Sequence, residues 1–469
     1  MGDHIKSSRM RMNDKEDNLV IKASSRIDDK LPKTSNKSRV FMYKIWEFAK
    51  EDINKVTFSL KVGLAVLLVS LLILIQAPYQ VFGTSVIWSI LTVAIMFEYT
   101  VGATFQKGFN RTLGSLLAGV LAIAVAELAL MIGPPAEPII IGISIFMIGT
   151  VTSFMKLWPT LVPYEYGFRV ILFTYCMIIV SGYRLGNPIK KSTDRFYSIL
   201  IGAIVTVAVN TLIFPIWAGE QLHEELIKNF GSVADSLEEC VKKYLSDNGT
   251  NHPVINKIFM EEFPDEPAYK KCITTLNSSV TIESLALSAK WEPPHGKFRH
   301  AFYPWSEYVK VGTVLRYCAY EVMALHGVLH SQIQAPYNLR FIFESEILEA
   351  TSKAAELIRC LGKDICDMKQ SLQSSLLNSV HGSTERLQRA IDKHLFSKDN
   401  AKVELNYQGQ RRSVDGADGI TKIQASVRTE AFSLVTFTSL LIEFVARLDH
   451  LAEAVNELSK IAKFKHESP

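Results

Sequence analysis

Charge is what the chain lacks over a long block: from Phe58 to Trp217, 160 residues hold 9 Lys or Arg and 5 Asp or Glu, and no histidine. A soluble domain does not leave so long a stretch uncharged, so this block is expected to sit in lipid. Cysteine is scarce too. Six residues, at 176, 240, 272, 318, 360 and 366, show no paired spacing, which excludes a disulfide framework and predicts free thiols in a reducing compartment. The opening segment, with Asp3, Lys6, Arg9 and Arg11, has no apolar run, so no signal peptide is expected, and Lys6 stands where a myristoylation signal wants Ser or Thr. Phosphate-binding loops, HExxH, GxSxG and CxxC patterns are missing, so no enzyme is expected. Residues 218–469 are net −4, which speaks against nucleic acid as a partner.

What is present is apolar and long. Six stretches, near 57–76, 82–100, 112–132, 138–155, 164–183 and 196–217, each approach the roughly 20 residues needed to cross about 30 Å of hydrocarbon. Runs such as LAVLLVSLLILI (64–75) must satisfy their backbone groups internally, and so are helices. The fold class expected is an all-α polytopic membrane protein, six transmembrane helices per subunit followed by a cytosolic helical domain. The boundaries are a partly disordered cytosolic arm over 1–47, a membrane domain over 48–217 and the helical domain over 218–469. An even number of spans puts both termini on one side. Lys44, Lys50, Lys55, Lys107, Arg111 and Lys156 on the inner flanks outweigh Arg184, Lys190, Lys191 and Arg195 on the outer, so both ends are expected in the cytosol.

The few charges in the spans are the candidate site. Lys61 lies about one turn into the first span, Arg111 opens the third, Arg169 sits in the fifth and Arg195 opens the sixth, with Lys107 and Lys156 flanking. Glu98, Glu127 and Glu165 are candidates for charge pairing or gating. Arg195 and Lys156 could equally snorkel to the headgroups, and Arg169 could pair with Glu165 or Glu127. The alternative to these structural roles is a positive path that attracts anions: Lys61, Arg111 and Arg169 toward the inner mouth, Arg195 toward the outer. An anion channel, a coupled carrier using Glu98 or Glu127, and a membrane scaffold all remain open at this level.

Beyond Trp217 the periodicity becomes that of amphipathic helices. Leu222, Leu226, Phe230, Val233 and Leu237 recur at three and four, helical pattern returns over 269–290, 306–334 and 337–369, and a last helix covers about 425–463. The region of about 370–424, above all the polar 396–422, is expected to be a flexible loop. Trp291-Glu292-Pro293-Pro294 forces an extended path and predicts a packed turn docking a helix layer to the membrane domain. His295 and His300 have no second ligand pair, so no metal or other cofactor is expected. Arg447, with Glu443 and Asp449, offers helix-surface ion pairs.

Four segments carry a resemblance: TVAIMFEYTVGATFQKGFNRTLGSLLAG (92–119), YEYGFRVILFTYCMIIVSGYR (164–184), FPIWAGEQLH (214–223) and WEP (291–293). The chain resembles the plant aluminium-activated malate transporter family over roughly four fifths of its length. That resemblance implies a homodimeric anion channel passing malate and, in some members, chloride, nitrate or sulphate. It maps basic pore residues onto Lys61, Arg111, Arg169 and Arg195, and the WEP motif onto Trp291, Glu292 and Pro293 as a determinant of the cytosolic domain. Residues 50–105 are most similar to the quick-activating guard-cell branch, which implies a voltage-dependent plasma-membrane channel that serves stomatal closure, with a regulatory kinase among its partners. A vacuolar channel of the same family shares much of this sequence.

Overall fold

The computed structural model describes residues 37–51, 53–74, 87–133, 135–185, 188–246, 267–300, 302–331, 334–371, 374–409 and 417–466. Contacts divide the chain into two compact units, Met1–Leu64 and Ala65–Pro469.

The N-terminal unit holds α1 (Lys37–Glu51) and the start of α2 (Ile53–Leu74). Helix thus begins inside the arm expected to be partly disordered. The reason is an alternation that composition alone hides: Phe41, Ile45 and Phe48 recur at helical spacing between Lys44, Glu47 and Lys50.

The larger unit continues with α3 (Ile87–Met96), α4 (Val101–Ile132), α5 (Glu137–Leu157), a 3-10 turn (Pro159–Tyr164), α6 (Glu165–Leu185) and α7 (Pro188–Leu212). Among the described residues five helical segments are long and apolar enough to cross a membrane: 53–71, 101–132, 137–157, 159–183 and 192–212. Their outward faces are apolar, with Phe146, Phe154, Ile139 and Ile204 exposed, as lipid contact requires. The second expected span, 82–100, differs. Among the described residues its helix covers Ile87–Met96, about 15 Å of rise. Thr100 ends it: this residue takes an extended backbone and caps α4 by accepting from the Ala103 N–H at 3.4 Å. Residues 75–86 lie outside the described residues. Helix α4, at about 48 Å, is longer than the hydrocarbon is thick. It packs on α6 through Ala118 and Ala122 against Tyr175, Ile178 and Ile179, small residues admitting large ones. The Tyr175 hydroxyl bonds the Ser144 hydroxyl at 2.7 Å and so fastens α5 to the pair.

The remaining helices are α8 (Ala218–Ser246), α9 (Pro267–Asn277), α10 (Ser279–Ala289), α11 (Trp305–Leu329), α12 (Tyr337–Ile342), α13 (Glu344–Asp367), α14 (Ser374–Gly409) and α15 (Ala417–Ile461). The stripe Leu222, Leu226, Phe230, Val233 and Leu237 of α8 is fully buried, against α13 and α11. Helix α15 closes the other side of α11 with Phe437, Leu441, Phe444, Leu448 and Leu451. The Tyr244 and Phe437 rings stack at 3.7 Å.

The loop expected over 370–424 is largely helix. Val380, Leu387 and Ile391 are buried at helical spacing, so the first half of α14 is held by packing on α13 and α15. Once nucleated, a helix extends cheaply into polar sequence, which is how α14 reaches Gly409. Among the described residues the domain also has a two-residue parallel pair, β1 (Lys369–Gln370) with β2 (Lys465–His466), and an isolated bridge between His295 and Phe298. The membrane helices and the domain after Trp217 fall in one compact unit rather than dividing at 217. Direct bonds across that point explain it, beginning with the Gly102 N–H to the Glu292 carboxylate at 3.2 Å.

Candidate functional site

Two arginines inside the apolar bundle end on one face of α3. Arg111, from α4, donates its Nε–H to Thr92 Oγ1 at 3.1 Å and an Nη1–H to the Tyr166 hydroxyl at 3.3 Å. Arg195, from α7, lays its guanidinium over the Trp88 ring at 3.6 Å, with Phe173 of α6 at 5.6 Å. Trp88 and Thr92 are four residues apart, joined by a bond from Thr92 Oγ1–H to Trp88 C=O at 2.7 Å. The two anchors are therefore about 6 Å apart along the helix, and the two positive charges repel each other. The close seat of α3 on α7 makes this possible: Ser89 donates to Ser198 C=O at 2.6 Å, and Gly202 lies against Ser89 and Thr92.

Arg111 is 6% exposed and Arg195 7%. Among the described residues neither has a carboxylate within ion-pair distance. Arg195 Nε and the buried Ser115 hydroxyl have no hydrogen-bond partner among the described residues either. A buried cation without an acid is costly, and stacking on Trp88 offsets part of that cost without neutralising the charge. The arrangement can therefore accept an anion between the two guanidiniums, with N–H and O–H donors to replace its water.

The other candidate charges are arranged differently. Lys107 pairs with Glu98 and stands 5.7 Å from the Tyr166 ring. Beside that pair Asn210 of α7 donates to Thr104 Oγ1 at 2.8 Å and to Glu98 C=O at 3.2 Å. Glu165 takes both Arg169, at 2.6 Å, and Lys156, at 3.0 Å. Arg169 is largely exposed, and of its two expected partners the structure chooses Glu165. Glu127 is exposed on α4. Lys61 is buried and belongs to the N-terminal unit. The expected separation of Arg111 and Arg195 to opposite mouths is not what the structure has. Helix α7 starts at Pro188, so Arg195 is two turns inside it, and short α3 brings Trp88 to meet it. Trp88, Thr92, Ser115, Tyr166 and Phe173 were not singled out from sequence; the polar pair Ser89 and Thr92 at i,i+3 in an apolar run was the available signal.

A second constellation ties this bundle to the domain that follows. The Glu292 side chain is 1% exposed, and its carboxylate accepts three backbone N–H bonds: Ala218 at 2.6 Å, Gly219 at 3.0 Å and Gly102 at 3.2 Å. One side chain thus caps the N-termini of α8 and α4 together, where helix dipoles favour an anion. Both glycines are needed by close approach. A Cβ on Gly102 would lie 2.2 Å from Ser288 C=O, and one on Gly219 2.5 Å from the Trp305 ring. Burial pushes the Glu292 carboxyl above the usual carboxylate range, while the three N–H donors and nearby His295 pull against it. Trp291 packs on Phe109 of α4 at 5.1 Å, and Pro293 C=O contacts His295 Nδ1 at 2.8 Å. His295 stacks on Trp217 at 3.9 Å. Behind them His223 touches the Tyr308 hydroxyl at 3.2 Å, and burial, reinforced by the Lys297 charge, lowers its pKa to about 4. Arg447 joins Glu443 at 3.1 Å and reaches Glu321 of α11 at 3.7 Å. No cluster of three potential metal ligands occurs among the described residues.

An apolar helical bundle that buries two arginines with no carboxylate beside them among the described residues, clasped to a large helical domain, defines a polytopic membrane transport protein. The family profile described as "Aluminium activated malate transporter" matches residues 46–419 and 398–459. The chain belongs to the aluminium-activated malate transporter family, whose members are transporters or channels and not enzymes. It is 35% identical to the third-numbered protein of the aluminum-activated malate transporter series of Arabidopsis thaliana, covering 94% of this chain and 89% of that one. Aluminum-activated malate transporter 14 of the same plant is 31% identical, over 92% and 90% of the two chains. Aluminum-activated malate transporter 1 of Triticum aestivum is 30% identical, over 91% and 86%.

Proposed function

We propose that this protein is an anion channel that passes malate and inorganic anions such as chloride, nitrate and sulphate. The observation that carries the reading is the pair Arg111 and Arg195, buried against anchors one helical turn apart on α3, with no carboxylate beside them among the described residues. The malate in the relatives' names supports the choice of substrate. In this reading an entering anion exchanges water for guanidinium and hydroxyl donors, and mutual repulsion of the two cations keeps it from being held too tightly. Trp88 and Phe173 set the lateral position of Arg195, while Thr92 and Tyr166 set that of Arg111.

The channel works as a homodimer in the plasma membrane with both termini in the cytosol, opens with voltage and carries anion efflux in stomatal closure. Each elementary charge moved across the field contributes about 2.3 kcal/mol per 100 mV, so a few rearranged pore charges suffice for gating. Voltage-clamp recording in a heterologous membrane, with malate replaced by sulphate, nitrate and chloride on each side, tests the proposal. Reversal potentials that follow the anion Nernst potentials, with unitary current steps, support it. Saturating flux that tracks a proton gradient would replace it with a coupled carrier.

A further inference from the structure

Helix α1 presents a wide apolar surface to solvent. On a helical projection Phe41, Met42, Ile45, Trp46, Phe48 and Ala49 fall on one half of the cylinder, and Tyr43, Lys44, Glu47 and Lys50 on the other. Phe41 is 64% exposed, Trp46 69% and Phe48 58%, with Met42 and Ile45 exposed as well. A helix of 15 residues, about 22 Å long, would not keep such a face in water.

Two observations identify what covers it. The first is charge. The helix carries Lys37, Arg39, Lys44 and Lys50 against Glu47 and Glu51, and Lys55 follows, its ammonium 4.5 Å above the Phe48 ring. The second is position. One residue separates α1 from α2, which is long and apolar enough to cross a membrane, so a membrane surface lies at the end of α1 whatever else is assembled there. Aromatic and aliphatic side chains facing one way, with lysine stems able to reach headgroups, suit the boundary between headgroups and acyl chains.

We propose that α1 is a membrane-surface helix that seats Phe41, Ile45, Trp46 and Phe48 in the acyl boundary of an anionic lipid surface, its lysines on the phosphates. It orients the entry of α2, and so of Lys61, into the bilayer. The inference does not depend on the ion carried.

Full-length protein in phosphatidylcholine vesicles, with and without phosphatidylserine, provides the test. The emission of Trp46 is isolated as the difference between the wild type and Trp46→Phe. Lipids spin-labelled high on the acyl chain should quench it more than lipids labelled near the chain end, and aqueous iodide should quench it little. Removing phosphatidylserine should lower the lipid quenching about twofold, as should high salt. Strong iodide quenching in both vesicle types would put the helix in water and overturn the proposal. Quenching by neither probe would mean that protein, a second copy or this chain, covers the face. Lipid quenching indifferent to phosphatidylserine would overturn the anionic assignment.

Discussion

Two buried charge sites, one in the bundle and one just outside it, solve the same problem in opposite ways. At Glu292 a carboxylate meets three N–H donors fixed at two helix ends, which oppose the cost of its burial. Among the described residues Arg111 has two neutral hydroxyl partners and Arg195 an aromatic face, and donor capacity is left over. The first arrangement locks; the second leaves room for a mobile anion. A charge answered by the fold is structural, and one left unanswered is available for function.

Removing the lock should have the largest effect. Glu292→Ala leaves three N–H donors unanswered at two buried helix N-termini, a loss of about 3 kcal/mol, and should lower the unfolding midpoint of purified protein well below that of Glu292→Asp. Equal midpoints would mean that the capping bonds contribute little, and the contrast between the sites would fail.

The next effect is on the unanswered cations. Arg111→Ala or Arg195→Ala removes a charge some 7 Å from a passing anion, worth about 2 kcal/mol at an effective dielectric of about 20, so conductance should fall about tenfold or more at normal surface expression. Lys107→Ala and Arg169→Ala, whose charges Glu98 and Glu165 already answer, should change it less than about threefold. Comparable losses from all four would erase the distinction between paired and unpaired cations.

A smaller effect concerns protons beside the lock. His223 is held neutral in the folded domain, with a pKa of about 4 against about 6.5 unfolded. The unfolded state binds the proton first, so stability is complete above about pH 6.5 and is lost as pH falls toward 4. By pH 5 the loss should be roughly 1–2 kcal/mol, and His223→Gln should reduce that acid sensitivity in unfolding scans. The smallest effect belongs to the surface. Arg359 bonds Glu238 at 2.8 Å and Asp235 at 2.9 Å, yet it is over 40% exposed, so Arg359→Ala should cost less than about 1 kcal/mol, and less still in high salt.

Most of the helices were legible in the sequence because their signals are local. The α8 stripe and the long apolar runs need only periodicity and length, and both survive into the fold. The boundaries that went astray depended on neighbours. The second half of α14 is polar and reads as loop, but it extends a helix already pinned through Val380 and Leu387. The end of α3 at Met96, before the expected end of the span, goes with Thr100 turning aside to cap α4. Arg169 stood beside Arg111 as a candidate with its pairing to Glu165 or Glu127 open, and only the fold brings Lys156 and Arg169 together on Glu165.

By itself the sequence determined that this is a helical membrane protein with few, mostly basic charges in its spans, because the hydrocarbon core permits nothing else over such a length. It also determined the family, through long segments whose composition is rare. Only the tertiary structure decided which charges stay unanswered and which are matched. Pairing is a matter of distances of a few ångströms between helices far apart in sequence: Arg111 with Thr92 and Tyr166, Arg195 with Trp88, and Glu292 with Gly102 and Ala218.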